Sequence, residues 1–408
     1  MDRQAAPVLL ALVGAGGCAH SFGDDVAFLQ RHTATVVLSD PDGAAAVVVC
    51  PALQGRVATS TAAGASGASF GWLNRALIAS GKLAPHMNVF GGEDRFWLGP
   101  EGGQFSLFFA PGVPQDLAHW QTPAPIDSEP FTVVESVADR ALLRKTMRIT
   151  NASGTVFDLD VEREVRVYPA GRTWKEAGIA PNGGVAQSGR VKVVGFESRN
   201  RITNRGAAAW RHDTGLMSIW IAGTFAPSPS TIIVVPFRAG ADAALGPVVN
   251  DQYFGRVPAD RLVIKGNAIY FRGDGQQRGK IGVPPRRARP VLGSYDAKGG
   301  VLTVVTYTLP EGATDYVSSL WEHQREPYRG DVNNSYNDGP PAPGAKPLGP
   351  FYELESSSPA AALAPGASAE HVHRTLHFVG APDDLDAVAR AALGVGIADI
   401  TSAFAGQP

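Results

Sequence analysis

The chain predicts an all-β protein, on three observations. Short runs rich in Val, Ile, Thr and Phe, each of strand length, recur from residue 34 to residue 309. Gly, Pro, Asn and Asp separate them, in a chain with 47 Gly and 31 Pro, and such runs between such residues read as strands joined by turns. Helical periodicity is scarce before residue 383, so the spacing of βαβ units is missing and an antiparallel sandwich or barrel is favoured.

Each element follows from its local pattern. Residues 19–33 read as a tether or short lead-in helix. Residues 35–39 and 44–50 form a hairpin about Pro41-Asp42-Gly43. Gly55-Arg56-Val57 precedes a soft Ala/Gly/Ser/Thr segment, 58–69; residues 70–80 suggest a short helix and 105–109 a buried strand. Strands are expected over 131–137, 143–150, 156–168, 191–199, 216–222, 231–237, 262–271 and 301–309. Turns fall at 151–154, 182–184 and 296–300. The Pro/Gly-rich stretch 338–350 is either a loop crossing a site or a plain connector. Residues 383–393 form a helix with Asp383 or Asp384 as its cap. One large sandwich over 34–380, with a helical tail over 381–408, fits 408 residues that are 44% hydrophobic.

Composition also excludes partners. Net charge is −2 and the pI about 6.5, with no basic stripe, so nucleic acid is not expected. Residues 1–18, MDRQAAPVLLALVGAGGC, carry Arg3, a short apolar run and small residues before Cys18. The run is too short to span a bilayer and reads as an export signal, with Cys18 placed as the lipidated cysteine of a periplasmic or outer-membrane-associated lipoprotein. Cys50 is then left without a partner and reads as a core residue.

Chemistry concentrates in residues 88–103, where Glu93, Asp94, Arg95, Trp97 and Glu101 sit among glycines. Acids, a guanidinium and an indole suit a polyhydroxylated ring, the charged groups meeting hydroxyls and the indole its C–H face. A turn with an internal ion pair is the structural alternative. A second polar cluster, Trp321-Glu322-His323 and 330–339, offers Asn334, Tyr336 and Asp338 as hydrogen-bonding groups that are equally ordinary in turns. Lys280, after Arg272-Gly273-Asp274 and Arg278, is placed to reach an acidic sugar. Asp331, Asn333 and Asp338 could supply oxygens to Ca²⁺, and His371 and His373 share a strand face, but no established metal spacing is present. No metal and no cofactor is expected.

The motifs GRVATST (55–61), SFGWLN (69–74), GGEDRFWLGPEGGQF (91–105), RGDGQQRGKIG (272–282), GDVNNSYNDGP (330–340) and FYELESSSPA (351–360) occur in an order that resembles the galactose-mutarotase-like (aldose 1-epimerase-like) superfamily. More narrowly the chain is similar to an uncharacterised family of exported bacterial proteins within it. The resemblance implies a β-supersandwich over residues 34–380. It also implies a general base on a late strand, matched here by Glu353 or Glu355, two residues apart and therefore on one strand face. The superfamily's histidines have no match: its His-Gly-Gly appears here as Phe90-Gly91-Gly92, and its Thr-Asn-His as Thr203-Asn204-Arg205. His86, His212 and His323 are the possible substitutes.

The expected function is an exported, carbohydrate-active protein performing sugar isomerisation, epimerisation or elimination by acid/base chemistry. Glu353, Glu355, Asp94 and Arg95 carry the chemistry in this reading. Arg56, Trp72, Asn74, Glu93, Trp97, Glu101, Lys280, Trp321, His323, Asn334, Tyr336 and Asp338 bind the sugar. The partners are a carbohydrate and the membrane, through the lipid anchor. The alternatives are a glycan-binding lipoprotein that keeps the fold without catalysis, and a structural envelope protein without a ligand.

Overall fold

The computed structural model describes residues 20–41, 43–342 and 344–406. The export segment, Cys18 and Asp42 lie outside the described residues. Two antiparallel sheets dominate. The larger has ten strands in the order Leu262–Lys265, Ala268–Arg272, Thr231–Pro236, Val291–Asp296, Val301–Tyr307, Ser368–Val379, Lys192–Asn204, Val156–Val167, Arg140–Thr150, Thr132–Val137. The smaller has five: Gly279–Val283, Asn333–Asn337, Tyr352–Ser357, Ser218–Phe225, Arg95–Gly99. A three-stranded sheet, Val36–Ser39, Ala46–Cys50 and Arg56–Thr61, completes the N-terminal side.

Period-2 alternation seats the large sheet. Along Val156–Val167 the odd-numbered residues from Phe157 to Val167 are buried and the even ones face outward. The inward residues meet Phe96 and Leu98 of the small sheet in one apolar cluster, and Phe225, Ile281 and Leu354 meet Val235, Phe271 and Leu292 in a second. Where the large sheet's other face is apolar, Pro382–Leu393 and Ile397–Thr401 cover it through Leu385, Val388, Leu393 and Ile400.

Several local expectations change. Of the two readings of 19–33 the lead-in helix is the one observed: Phe22–His32 is a helix with a Ser21 capping box, and Phe22, Phe28 and Leu29 are buried, so the tether reading is dropped. Residues 262–271 form a hairpin broken at Gly266-Asn267, not one strand. Residues 106–109 are buried but the segment bends, held by Ser106 Oγ accepting from the Phe108 and Phe109 amides. Neither Asp383 nor Asp384 caps the last long helix; Ala381 occupies the cap position and Asp384 pairs with Arg190. Gly91 and Gly92 have φ of 84° and 108°, and a Cβ on Gly91 would lie 2.0 Å from the Trp72 carbonyl oxygen. Their freedom brings two backbones together, not a ligand.

A polar layer lies between the sheets. Asp94 and Arg163 are fully buried and pair at 2.5 Å; Ser198 Oγ donates to Asp94 at 2.6 Å, and Arg163 also donates to the Gly55 carbonyl and Asn200 Oδ1. Glu93 accepts from Ser60 and pairs with His377 at 2.8 Å. Ser356 Oγ lies 2.8 Å from both His371 Nε2 and His373 Nδ1. Burial, first of all, lowers His371 to about 3 and His373 to about 4. Both rings are therefore neutral in the folded protein near pH 6 while unfolded histidines begin to charge. The stability they permit is complete above about pH 6.5 and is lost as pH falls towards 4 and then 3, with a slope of up to about 1.4 kcal/mol per pH unit per ring. Urea midpoints should fall from pH 7 to pH 5, and fall less in His371→Asn/His373→Asn. An equal fall in both proteins would show that other groups carry the effect.

Candidate functional site

The outer face of the five-stranded sheet is the floor of a small cavity of about 60 Å³ that opens to solvent. Register explains which side chains meet there. Lys280 pairs across with Tyr336, Tyr336 with Glu353, and Glu353 with Thr224. One step along, Asn334, Glu355, Ala222 and Arg95 form a second row, and Trp220 and Trp97 a third. Adjacent strands lie about 4.8 Å apart, so residues far apart in the chain become neighbours. Loops add walls: Met87 and Val89, Glu101, Trp120, Phe254, Arg278, Trp321, and Leu348 with Phe351. The 338–350 stretch therefore does border the cavity.

Aromatic rings give the cavity its character. Trp97, Trp120, Trp220 and Trp321 all line it, four of the chain's seven tryptophans. Trp97 meets Trp220 edge to face at 5.2 Å, and Trp120 stacks on Trp321 at 5.9 Å. The Arg95 guanidinium lies 3.6 Å from the Trp97 ring centroid.

The two late carboxylates are held differently. Glu353 borders the cavity and accepts from Arg95 Nη2 at 3.4 Å and Thr224 Oγ1 at 3.2 Å. Burial pushes its carboxyl up to about 7; Arg95 opposes the rise and Glu355 adds to it. Glu355 is completely buried and is tied down by Trp220 Nε1 at 2.8 Å and Lys280 Nζ at 3.1 Å. Burial also raises Glu101, a third carboxyl on the wall. Behind Trp220 and Lys280 is a small polar chamber bordered by Ser218, Tyr253, Asn334 and Asp331. There Tyr253 donates to Asp331 at 2.6 Å, and burial raises Asp331 to about 6.

The sequence-predicted residues divide accordingly. Arg95, Trp97, Glu101, Lys280, Trp321, Tyr336 and Glu353 line one cavity, with Glu355 beneath it. Asn334 faces the chamber and donates to Tyr253 at 3.0 Å. Asp338 stands behind Tyr336, accepting from its hydroxyl and from the Gly349 amide, each at 2.8 Å. Trp72 is one ring away, 4.9 Å from Phe351. The others are elsewhere. Asp94 and Glu93 belong to the layer between the sheets: Asp94 directly precedes Arg95, so its side chain leaves the strand on the opposite side. Arg56 donates to the Leu53 and Gly91 carbonyls, Asn74 caps the Arg75–Ser80 helix, and His323 is exposed. His212 is exposed on Asp315, and His86 bonds to the Trp120 carbonyl. The sequence reading does not single out Trp120, Trp220, Phe254 or Arg278, which also line the cavity. Trp220 was legible only as part of a strand, and its partner Trp97 identifies its face only once register is known. Among the described residues no cluster of three His, Cys, Asp or Glu side chains is arranged to hold a metal.

A model of the family described as a family of unknown function, DUF6786, matches residues 20–404. Curated proteins gave no match. Among solved structures, the chain is similar to a galactose mutarotase-like protein from Lactobacillus casei at 9% identity and a TM-score of 0.47, covering 84% of this chain and 100% of that one. It is similar to a galactose mutarotase related enzyme from Lactobacillus acidophilus at 7% identity and 0.44, covering 84% and 97%. It is also similar to the Slr1438 protein from Synechocystis sp. PCC 6803 at 12% identity and 0.47, covering 85% and 96%.

Proposed function

We propose that this chain, which belongs to the DUF6786 family of unknown function, binds a saccharide in the cavity of its five-stranded sheet and acts on it by acid/base chemistry. The observation that carries the reading is the meeting of Glu353 with four indoles in one open cavity. Indole faces bind the C–H surface of a sugar ring, and the carboxylates and cations between them match its hydroxyls. A carboxyl raised to about 7 exchanges protons efficiently near neutral pH, so Glu353 is the general base. Glu355, engaged by Lys280 and Trp220, is its positioning neighbour. No histidine borders the cavity among the described residues, and we assign the acid's role to Glu101, a buried carboxyl on the same wall. Isomerisation, epimerisation and elimination can each proceed through such a base–acid pair.

The test is a panel of aldoses, uronates and their glycosides incubated with the protein in D₂O and followed by NMR, alongside calorimetry. Binding with deuterium incorporation or product is expected. Tight binding with unchanged sugar would support the glycan-binding alternative, which the lack of a cavity histidine favours. No binding of any saccharide would sink both. The proposal extends to location: the protein is exported and anchored by an acyl chain on Cys18. A labelled fatty acid should enter the wild type and not Cys18→Ser, and labelling of neither would remove the anchor.

A further inference from the structure

Three cations border the cavity, and they differ in what they face. Arg95 has Glu353 at 3.4 Å and Lys280 has Glu355 at 3.1 Å. Arg278, just before the Gly279–Val283 strand, pairs with no carboxylate among the described residues. Its guanidinium carbon rests 3.8 Å from the Phe254 ring centroid, and its buried Nε has no hydrogen-bond partner.

The charges differ in permanence as well. A guanidinium keeps its proton at any pH the protein meets. Burial draws the Lys280 ammonium down, but Glu355, Glu101 and Glu353 outweigh it and leave the group above its ordinary value. On the acidic side, Glu101 has no ion-pair partner among the described residues; burial raises it against the pull of Lys280 and Arg278, as burial raises Glu353. Arg278 is thus the cavity cation with no carboxylate at ion-pair distance among the described residues, while at longer range it acts on Glu101. The unpartnered buried polar atoms on the cavity residues agree. Arg95 Nε, Arg278 Nε, Trp97 Nε1 and Trp120 Nε1 are donors, and Glu355 Oε1 is the acceptor.

Resting on the saccharide reading above, we propose that the ligand is a sugar ring bearing a carboxylate, of the uronic acid class, and that Arg278 is the specificity-determining residue that receives that carboxylate. A planar monoanion matches one uncommitted guanidinium fork. A phosphate monoester would bring a second charge against Glu101 and Glu353.

Calorimetry of the full chain at pH 7 with matched ligands tests this: glucose, glucuronate and glucose 6-phosphate, and the same sets built on galactose and mannose. In the configuration the cavity accepts, the uronate should bind about tenfold or more tightly than the neutral sugar, as expected for a charge-assisted hydrogen bond. Arg278→Gln should lose that preference, so that uronate and neutral sugar bind alike, and Arg278→Lys should keep part of it. Arg278 is half-buried and holds no ion pair among the described residues, so at most a small fall in melting temperature is expected in both variants. A neutral sugar binding as tightly as its uronate, a 6-phosphate binding more tightly, or a preference surviving Arg278→Gln each overturns the assignment while leaving the saccharide reading in place. Failure of every sugar would sink that reading and this inference with it.

Discussion

Glu353→Gln should lower turnover of the sugar by about 10²–10⁴-fold while leaving KM nearly unchanged, because it removes proton transfer and keeps the shape and hydrogen-bonding reach of the side chain. The pH profile supplies an independent check. A base must be deprotonated to act, so kcat/KM should rise with pH through about 7 and be lost below it. The height of that limb depends on neighbours. Glu355 raises Glu353, and Lys280 lowers it, so Glu355→Gln, which removes one charge and frees the other, should move the limb to lower pH. A limb that stays near 7 in Glu353→Gln, or that moves upward in Glu355→Gln, would mean that another group is titrating.

Asp94→Ala should destabilise the protein by about 3–5 kcal/mol, read as a lower urea midpoint, because it strands the Arg163 guanidinium without its counter-charge in the interior. Arg163 is 0% exposed, so water cannot replace the lost carboxylate. Two of its other contacts, to the Gly55 carbonyl and Asn200 Oδ1, are neutral and would remain. Adding Arg163→Met to Asp94→Ala should recover part of the loss, since the second change removes the stranded charge. An Asp94 that served the cavity would behave in the opposite way, with lost binding and an intact midpoint. That outcome would overturn its placement between the sheets.

These two neighbours in the chain show how far the sequence could be read. The dense segment 91–105 was legible as chemistry, and the late strand with Glu353 and Glu355 as its counterpart. Their meeting in one cavity is what the register of the small sheet produces. Which residues of the segment face the cavity was not legible. Asp94, Arg95, Phe96, Trp97 and Leu98 alternate across a strand whose two faces are both buried, one against the large sheet and one against the cavity. Polar and apolar residues occur on both faces, so no alternation of hydrophobicity marks the phase, and a shift of one residue exchanges the two sets. Trp120, Phe254 and Arg278 come from irregular loops, where neither periodicity predicts direction.

Alone, the sequence determined the all-β sandwich class and membership of an uncharacterised family, because these follow from turn residues, strand-length apolar runs and the order of motifs, all local in the chain. Tertiary structure decided which charges lie between the sheets and which face the cavity. That decision depends on strand phase and on the partner each buried group finds across the sheet, as Asp94 finds Arg163 and Glu353 finds Arg95. Burial and pairing are properties of the packed chain, and they set the charge a group carries.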